Sequence, residues 1–301
     1  MALTLSLLYR GPLSSCNYDC GYCPFAKRRE TAAELARDRA ALGRFVDWVA
    51  ARPAADRLGV LFTPWGEALT RRWYQGALAR LSQLPQVTRA AAQTNLACGL
   101  GWVAACDRAK LALWATFHPG QVARQRFLAK CLRLYALGIR FSVGVVGLRE
   151  HFADIAALRR ELPGDVYLWV NAYKDRPDYY APGEAEWLTG VDPLFPVNNV
   201  RHPSLGRPCR AGHSAVSVDG DGTVRRCHFI REPIGNLYNP DFEGVLAERL
   251  CTNATCGCHI GYVHLDELGL YPVFGDGVLE RVPASRIWEG DAGRMPLPLA
   301  H

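Results

Sequence analysis

The chain has 301 residues, 49% of them hydrophobic, enough for one large domain with a sizeable core and a smaller one beside it. Its formal charge of +6 comes mainly from arginines scattered along the chain, with no basic run longer than Lys27-Arg28-Arg29; this argues against nucleic acid and fits a solvated surface, with an anionic small substrate as an option. No apolar stretch approaches a membrane span, and no basic segment precedes apolar residues 3–8 as in a signal peptide. Eleven cysteines without an export signal indicate a reducing, cytoplasmic setting and metal ligation instead of disulfides.

In chain order, residues 3–9 read as a first strand and 10–29 as a loop holding Cys16, Cys20 and Cys23 at C-x3-C-x2-C spacing. Thiolates suit iron–sulfur clusters, zinc or copper, and a structural zinc site wants four ligands where this loop offers three. Three ligands on a four-iron cluster would leave one iron open for chemistry. A helix is expected over 31–51, with Leu35, Leu42, Phe45, Val46 and Val49 on one face. Strand two, 58–62, runs into Thr63-Pro64-Trp65-Gly66-Glu67, where Gly66 permits close backbone approach to a ligand and Glu67 can accept hydrogen bonds from an ammonium. After a helix over 73–84, strand three, 87–93, ends at Thr94-Asn95; Asn95 either contacts a ligand or caps the next helix. Cys98, Cys106 and Cys131 read as small apolar filler.

Strand four, 111–117, ends at His118, which either faces the site or sits in a turn. A helix over 127–137 stops at Gly138; strand five, 140–146, carries Ser142 as core or ligand contact; a helix over 152–162 leads to strand six, 165–170, with Asn171 at its end. Six strand-then-helix units imply parallel strands joined by right-handed crossovers, with reactive groups gathered at the strands' C-terminal ends. Residues 172–206, rich in Pro, Tyr and Asn, read as a connection that also walls the site.

Cys209 and Cys227 flank an alternating segment with a hairpin turn signal at Asp219-Gly220-Asp221-Gly222, which brings the two thiols together. Cys251, Cys256 and Cys258 come next, with His259 directly after them. Residues 271–301 read as an irregular wrap or loose end.

The C-x3-C-x-aromatic-C loop, with Tyr22 before its third cysteine, resembles the radical S-adenosylmethionine (radical SAM) superfamily. The resemblance implies an α/β fold: a partial (β/α)6 barrel over 1–175, a connection over 176–206, and a small hairpin-containing cluster domain over 207–270. Cys16, Cys20 and Cys23 would hold a [4Fe–4S] cluster whose fourth iron takes SAM. Gly66-Glu67 resembles the family's Gly-Gly-Glu turn, with Trp65 in place of the first glycine. Thr94-Asn95-Leu96 resembles its Thr-Asn-Gly stretch, with Leu96 in place of the glycine. Tyr22, Gly66, Glu67, Asn95, Ser142 and Asn171 are the implied SAM contacts. Cys209 followed by Gly222-x4-Cys227 resembles the twitch or SPASM domains of such enzymes, implying one auxiliary [4Fe–4S] cluster held by Cys209, Cys227 and two of Cys251, Cys256 and Cys258, with the choice among these three left open. Implied partners are a small-molecule or peptide substrate and an electron donor such as flavodoxin or ferredoxin. With strand one opening the chain, no peptide-recognition domain is expected ahead of it, which favours a small molecule or a peptide brought by a partner. A zinc-stapled binding or scaffold protein is the alternative.

Overall fold

The computed structural model describes residues 2–25 and 28–287. Six parallel strands succeed one another in chain order: β1 (Thr4–Tyr9), β2 (Arg57–Phe62), β3 (Val87–Thr94), β4 (Leu111–Phe117), β5 (Arg140–Val146) and β6 (Leu168–Asn171). Helices α1 (Ala32–Ala50), α2 (Arg72–Ser82), α3 (Arg124–Ala136) and α4 (Phe152–Glu161) lie in the crossovers. Both faces of the sheet are buried, which is why its strands read as apolar runs instead of alternating ones.

The two faces separate by parity. Leu7, Tyr9, Val60, Phe62, Leu113 and Val143 pack outward with helix residues such as Phe45 and Leu78 in the main core. Leu8, Leu61, Ala91, Ala112, Trp114 and Trp169 point the other way, into the barrel. Gly144 is bare because the Trp169 ring lies across it, where a Cβ would have to sit.

Strand six is shorter than expected. Residues 163–166 form a turn closed by Val166 N–H donating to the Pro163 carbonyl (3.0 Å), and pairing with β5 begins at Leu168. The expected connection contains α5 (Pro182–Val191) and the single turn α6 (Phe195–Asn198). Pro182 opens α5, Glu184 accepts from the Ala181 amide (2.8 Å), and Trp187, Leu188 and Val191 bury its inner face.

The late segment begins with the short strands β7 (His202–Pro203) and β8 (Pro208–Cys209), followed by the hairpin β9 (Ala215–Val218) and β10 (Thr223–Arg225) and by β11 (Pro233–Asn236). The hairpin turn falls at Asp219–Gly222, as its sequence indicates, and Gly222 takes φ +88 there. β9 pairs in parallel with β1, so the hairpin extends the barrel sheet in the order β11-β10-β9-β1-β2-β3-β4-β5-β6. β12 (Arg249–Leu250) pairs with β8, and β13 (Thr255–Cys256) with β7. Two short helices complete this segment, α7 (His259–Tyr262) and α8 (Leu270–Phe274).

Residues 275–283 turn back under the barrel and close its N-terminal end. Leu279 packs against Gly59 of β2, and the buried Glu280 carboxylate meets Arg140 (2.9 Å) and Arg89 (3.3 Å), near the starts of β5 and β3. The expected wrap is therefore a plug as far as residue 287; Arg294 to Pro298, also read as part of it, lie outside the described residues. Among the described residues, no helix is long and apolar enough to cross a membrane.

Candidate cysteine-bearing active site

The cysteine loop leaves the C-terminal end of β1 and is anchored at its base by the turn after β2. Gly66 N–H donates to the Leu13 carbonyl (3.3 Å) and Glu67 N–H to the Ser15 carbonyl (3.1 Å). A Cβ on Gly66 would fall inside the Ser15 carbonyl, so the close approach that Gly66 permits is to the cysteine loop's own backbone. The far end of the loop is tied back by Glu30, which accepts from the Ser14 amide (2.5 Å) and the Ser15 hydroxyl; Arg71 donates to that hydroxyl (2.8 Å).

Within the loop, Tyr18 N–H points at the Cys16 sulfur (3.4 Å) and the Asn95 amide lies 3.8 Å from it. Burial raises the Cys16 thiol pKa, the Tyr18 amide pulls it down, and Glu67 and Cys23 push it up again. His118 Nδ1 lies 3.4 Å from the Cys20 sulfur and 2.9 Å from the Tyr22 hydroxyl, and the Tyr22 ring stacks on the imidazole. Burial pushes His118 down to about 4, leaving a neutral ring. Burial and then Cys20 raise the Tyr22 phenol, which stays protonated. Asp19 N–H donates to Gln121 (2.9 Å), a second tie from this loop to the turn after β4. N–H groups aimed at a sulfur favour its thiolate, so the donor set fits a thiolate-bound cluster.

The other expected contacts divide. Glu67 is buried and accepts three bonds from the chain itself, from Leu69 N–H (3.0 Å), Thr94 O–H (2.7 Å) and Asn95 N–H (2.6 Å). Burial pushes its pKa up and those three bonds oppose the rise. Glu67 thus joins the ends of β2 and β3, with Oε1 taking two of these bonds and Oε2 one. Asn95 donates to Asn17 (3.0 Å) as well as facing Cys16, and receives the Ala97 amide (2.9 Å), so it both caps a turn and braces the loop. Leu96 takes φ +54, the left-handed conformation that favours glycine.

Ser142 is not at the mouth. It is fully buried at the third position of β5, donates to the Glu280 carbonyl (2.7 Å) and accepts from the Trp169 indole (3.1 Å), a core serine holding the plug. Asn171 stands exposed at the end of β6, where it pairs with Val146 of β5 and its backbone carbonyl accepts from Gly147 N–H (2.9 Å). Cys98 and Cys131 are buried with thiols pushed upward; Cys106 is also buried but comes after a short turn over Gly101–Ala105 instead of lying in a helix.

The late cysteines also divide. The thiols acting on Cys227 are those of Cys209 and Cys251, and those acting on Cys256 are Cys227, Cys258, Cys251 and Cys209, in that order. Burial is the largest upward influence on both, reaching about 11 for Cys227 and about 12 for Cys256. The β8–β12 and β13–β7 pairs place Cys209, Cys251 and Cys256 around this group. Arg226, next to Cys227, locks it by donating to the carbonyls of Ala211 (3.2 Å), Leu250 (2.6 Å) and Arg249 (2.7 Å). Gly261 is bare because the Cys256 sulfur comes within 2.8 Å of where its Cβ would sit. Cys258 acts on Cys256 as well, and its own sulfur also feels the charges of Lys174, Arg281 and Arg10. Among the described residues, no three Cys, His, Asp or Glu side chains converge as around a single ion.

His118 was visible in the sequence as a strand-end histidine, but its contact with Cys20 was not. Gln121 and Arg226 carried no signal, since both act through backbone groups brought close only by folding.

No family model and no curated protein matches the chain. Solved structures do. The radical SAM enzyme anSMEcpe with bound AdoMet and Cp18Cys peptide aligns at TM-score 0.51 and 16% identity over 77% of each chain. The same enzyme with Kp18Cys peptide aligns at TM-score 0.52 and 14% identity, again over 77% of each. BtrN with AdoMet and 2-DOIA aligns more loosely, at TM-score 0.38 and 17% identity over 82% of this chain and 88% of that one. With six parallel strands in sequential order and a cysteine loop leaving the first, the chain has the fold of the radical SAM enzymes.

Proposed function

We propose that this protein is a radical SAM enzyme in which Cys16, Cys20 and Cys23 hold a [4Fe–4S] cluster with SAM on its open iron, acting in a reducing cytoplasm. The observation that carries the reading is the three-thiol loop at the C-terminal end of β1, braced by Glu67 and Asn95 from the neighbouring strand ends. When bound, the pair supplies a 5′-deoxyadenosyl radical by one-electron cleavage of SAM. The chain's own residues do the rest. Tyr18 N–H and the Asn95 amide favour thiolate at Cys16. Glu67 holds Thr94 and Asn95 in place. Leu8, Leu61, Trp114 and Trp169 give the lumen an apolar lining that excludes water from a reacting carbon.

Cys209, Cys227, Cys251 and Cys256 hold one auxiliary [4Fe–4S] cluster in this reading, and Cys258 stays outside it. Support comes from the β8–β12 and β13–β7 pairs and from Arg226, which tie the segments carrying Cys209, Cys251, Cys256 and Cys227 together, and from the cations Lys174, Arg281 and Arg10 that act on Cys258 although it also lies near Cys256. The substrate is a peptide or a small molecule, and reduced flavodoxin or ferredoxin is the expected electron source; anSMEcpe carries a bound peptide, which supports the first option.

Anaerobic reconstitution with iron and sulfide, followed by a dithionite assay with SAM, tests this. About eight irons per chain and 5′-deoxyadenosine are expected. Cys20→Ala should abolish SAM cleavage; retained cleavage overturns the proposal. Zinc without acid-labile sulfide would instead establish a metal-stapled binding protein. Cys256→Ala should lower the count to about four irons while Cys258→Ala leaves about eight, and the reverse result would exchange the two residues' roles.

A further inference from the structure

The turn after β4 is tied to the middle of the cysteine loop at two successive residues. His118 follows Phe117, the last residue of β4, and its carbonyl accepts from Gln121 N–H (3.1 Å) in a turn where Gly120 takes φ +79. Gln121 accepts the Asp19 amide (2.9 Å), and His118 Nδ1 lies 3.4 Å from the sulfur of the next residue, Cys20. The imidazole is fixed on two sides. Tyr22 lies nearly parallel to it, with centroids 6.0 Å apart and planes at 13°, and Tyr18 meets it edge-on at 5.9 Å. Tyr22 is in turn braced edge-on by His151 at 5.5 Å, whose Nδ1 pairs with the Val146 carbonyl at the end of β5 (2.9 Å). The ring therefore has little freedom to leave Cys20.

The three loop sulfurs do not share one environment. Cys20 is 6% exposed, whereas Cys16 and Cys23 are both more open. The Tyr18 amide points at Cys16 (3.4 Å), and Cys23 lies 3.7 Å from a carbonyl, that of Phe25. Burial strips water from the Cys20 sulfur, so its charge as a cluster ligand has to be met by the protein. A cluster-bound thiolate carries no proton and can only accept. A bare Nδ1 would turn its lone pair toward that charge, so the tautomer that fits has the proton on Nδ1, aimed at the sulfur. The Tyr22 hydroxyl oxygen, 2.9 Å from the same nitrogen, accepts a share of that proton.

From this geometry we infer that His118 is a positioning residue for the SAM-binding cluster: it donates Nδ1–H to the Cys20 thiolate, shares that proton with the Tyr22 phenol, and so raises the potential at which the cluster takes up the electron that cleaves SAM. The inference rests on the radical SAM reading and adds to it a residue from the end of β4. A hydrogen bond to a cluster sulfur stabilises the reduced state, which carries one more negative charge, over the oxidised state. The Tyr22 oxygen competes for the same proton, so the phenol and the sulfur act on the potential in opposite directions. Removing the imidazole donor lowers the potential, and removing the competing phenol raises it.

The test is a redox titration of the reconstituted holoenzyme, followed by electron paramagnetic resonance (EPR) on the reduced-cluster signal that SAM perturbs. At the poise where half of that cluster is reduced in the wild type, His118→Phe is expected to show a roughly tenfold lower ratio of reduced to oxidised cluster, ~59 mV for one electron. His118→Asn, whose side-chain amide can place an N–H near the Nδ1 position, should restore most of the ratio. Tyr22→Phe should raise it. An unchanged ratio in His118→Phe overturns the inference, as does a fall in Tyr22→Phe. Equal falls in His118→Phe and His118→Asn overturn it too, leaving His118 as packing alone. Where the variants lose iron, wild-type enzyme containing histidine labelled with heavy nitrogen decides: a weak nitrogen coupling to the same signal is expected in pulsed EPR, and its absence overturns the inference. A SAM-perturbed signal with an unchanged ratio removes this inference alone, and the absence of any such signal removes the reading beneath it.

Discussion

Gly66 and Glu67 are adjacent, yet they are constrained by different physics. Gly66 is fixed by contact, since any side chain there enters the Ser15 backbone. Gly66→Ala is expected to cost about 2 kcal/mol and to weaken iron retention, because the displaced segment is the base of the cysteine loop. Denaturant midpoints and iron counts on the same samples check this; an unchanged midpoint would show that the turn does not press on the loop. Glu67 is fixed by charge and hydrogen bonding, with two backbone N–H groups and one hydroxyl converging on one buried carboxylate. Leu96 illustrates a trade at one position. Its left-handed backbone costs about 1–2 kcal/mol, comparable with the ~1.5–3 kcal/mol gained by burying a leucine side chain, so leucine is tolerated where glycine would fit the backbone better.

At the scale of the element, α1 is positioned by its first turn. Thr31 accepts from Glu34 N–H (3.2 Å), and Glu34 accepts in return from Thr31 N–H (2.8 Å), directly after Glu30 closes the cysteine loop. Thr31→Ala should cost about 1 kcal/mol of stability, read by urea unfolding. The bond from Thr31 N–H, then Arg28 and the Thr31 hydroxyl, lower Glu34 to about 2 from its ordinary 4.5. A carboxyl depressed in the folded state binds its proton more weakly there than in the unfolded chain. Its contribution is therefore present above pH 4.5 and is lost as pH falls toward about 2. Glu34→Gln should flatten the acid limb of stability across that window, and an unchanged limb would assign it to other carboxyls. The strands and α1 to α4 were legible because each buries a continuous run or a helical stripe. The helix α5 was not. Pro182, Gly183 and Gly190 look like loop residues, and only packing of Trp187, Leu188 and Val191 reveals the buried face.

At the scale of the whole molecule, the barrel's N-terminal end is closed by residues far from its strands in sequence. The plug places Glu280 between Arg89 and Arg140, and Arg140 also reaches Asp276 (2.9 Å). Glu280→Ala would leave the buried Arg89 without this partner and should cost about 3 kcal/mol, seen as a lower denaturant midpoint. A shift below about 0.5 kcal/mol would show that the plug is held by Leu279, the Ser142 bond and Asp276 without help from the Glu280 carboxylate. On the other side, β9 joins the late cysteine segment to β1, so the hairpin that carries Cys227 and the strand that launches Cys16 belong to one sheet.

The sequence by itself determined the parallel barrel, the three-cysteine loop on its first strand and the hairpin between Cys209 and Cys227. Each of these is written in local spacing: apolar runs, cysteine intervals and turn residues act over a few positions. Tertiary structure decided what long-range contact governs. It turned Ser142 into a core serine and tied the Glu67 carboxylate to the ends of β2 and β3. It also brought His118 to Cys20 and carried Arg281 from the tail into the lumen. None of these can be read from spacing, because the partners lie on different strands or beyond the barrel altogether, and only closure of the sheet and docking of the plug brings them together.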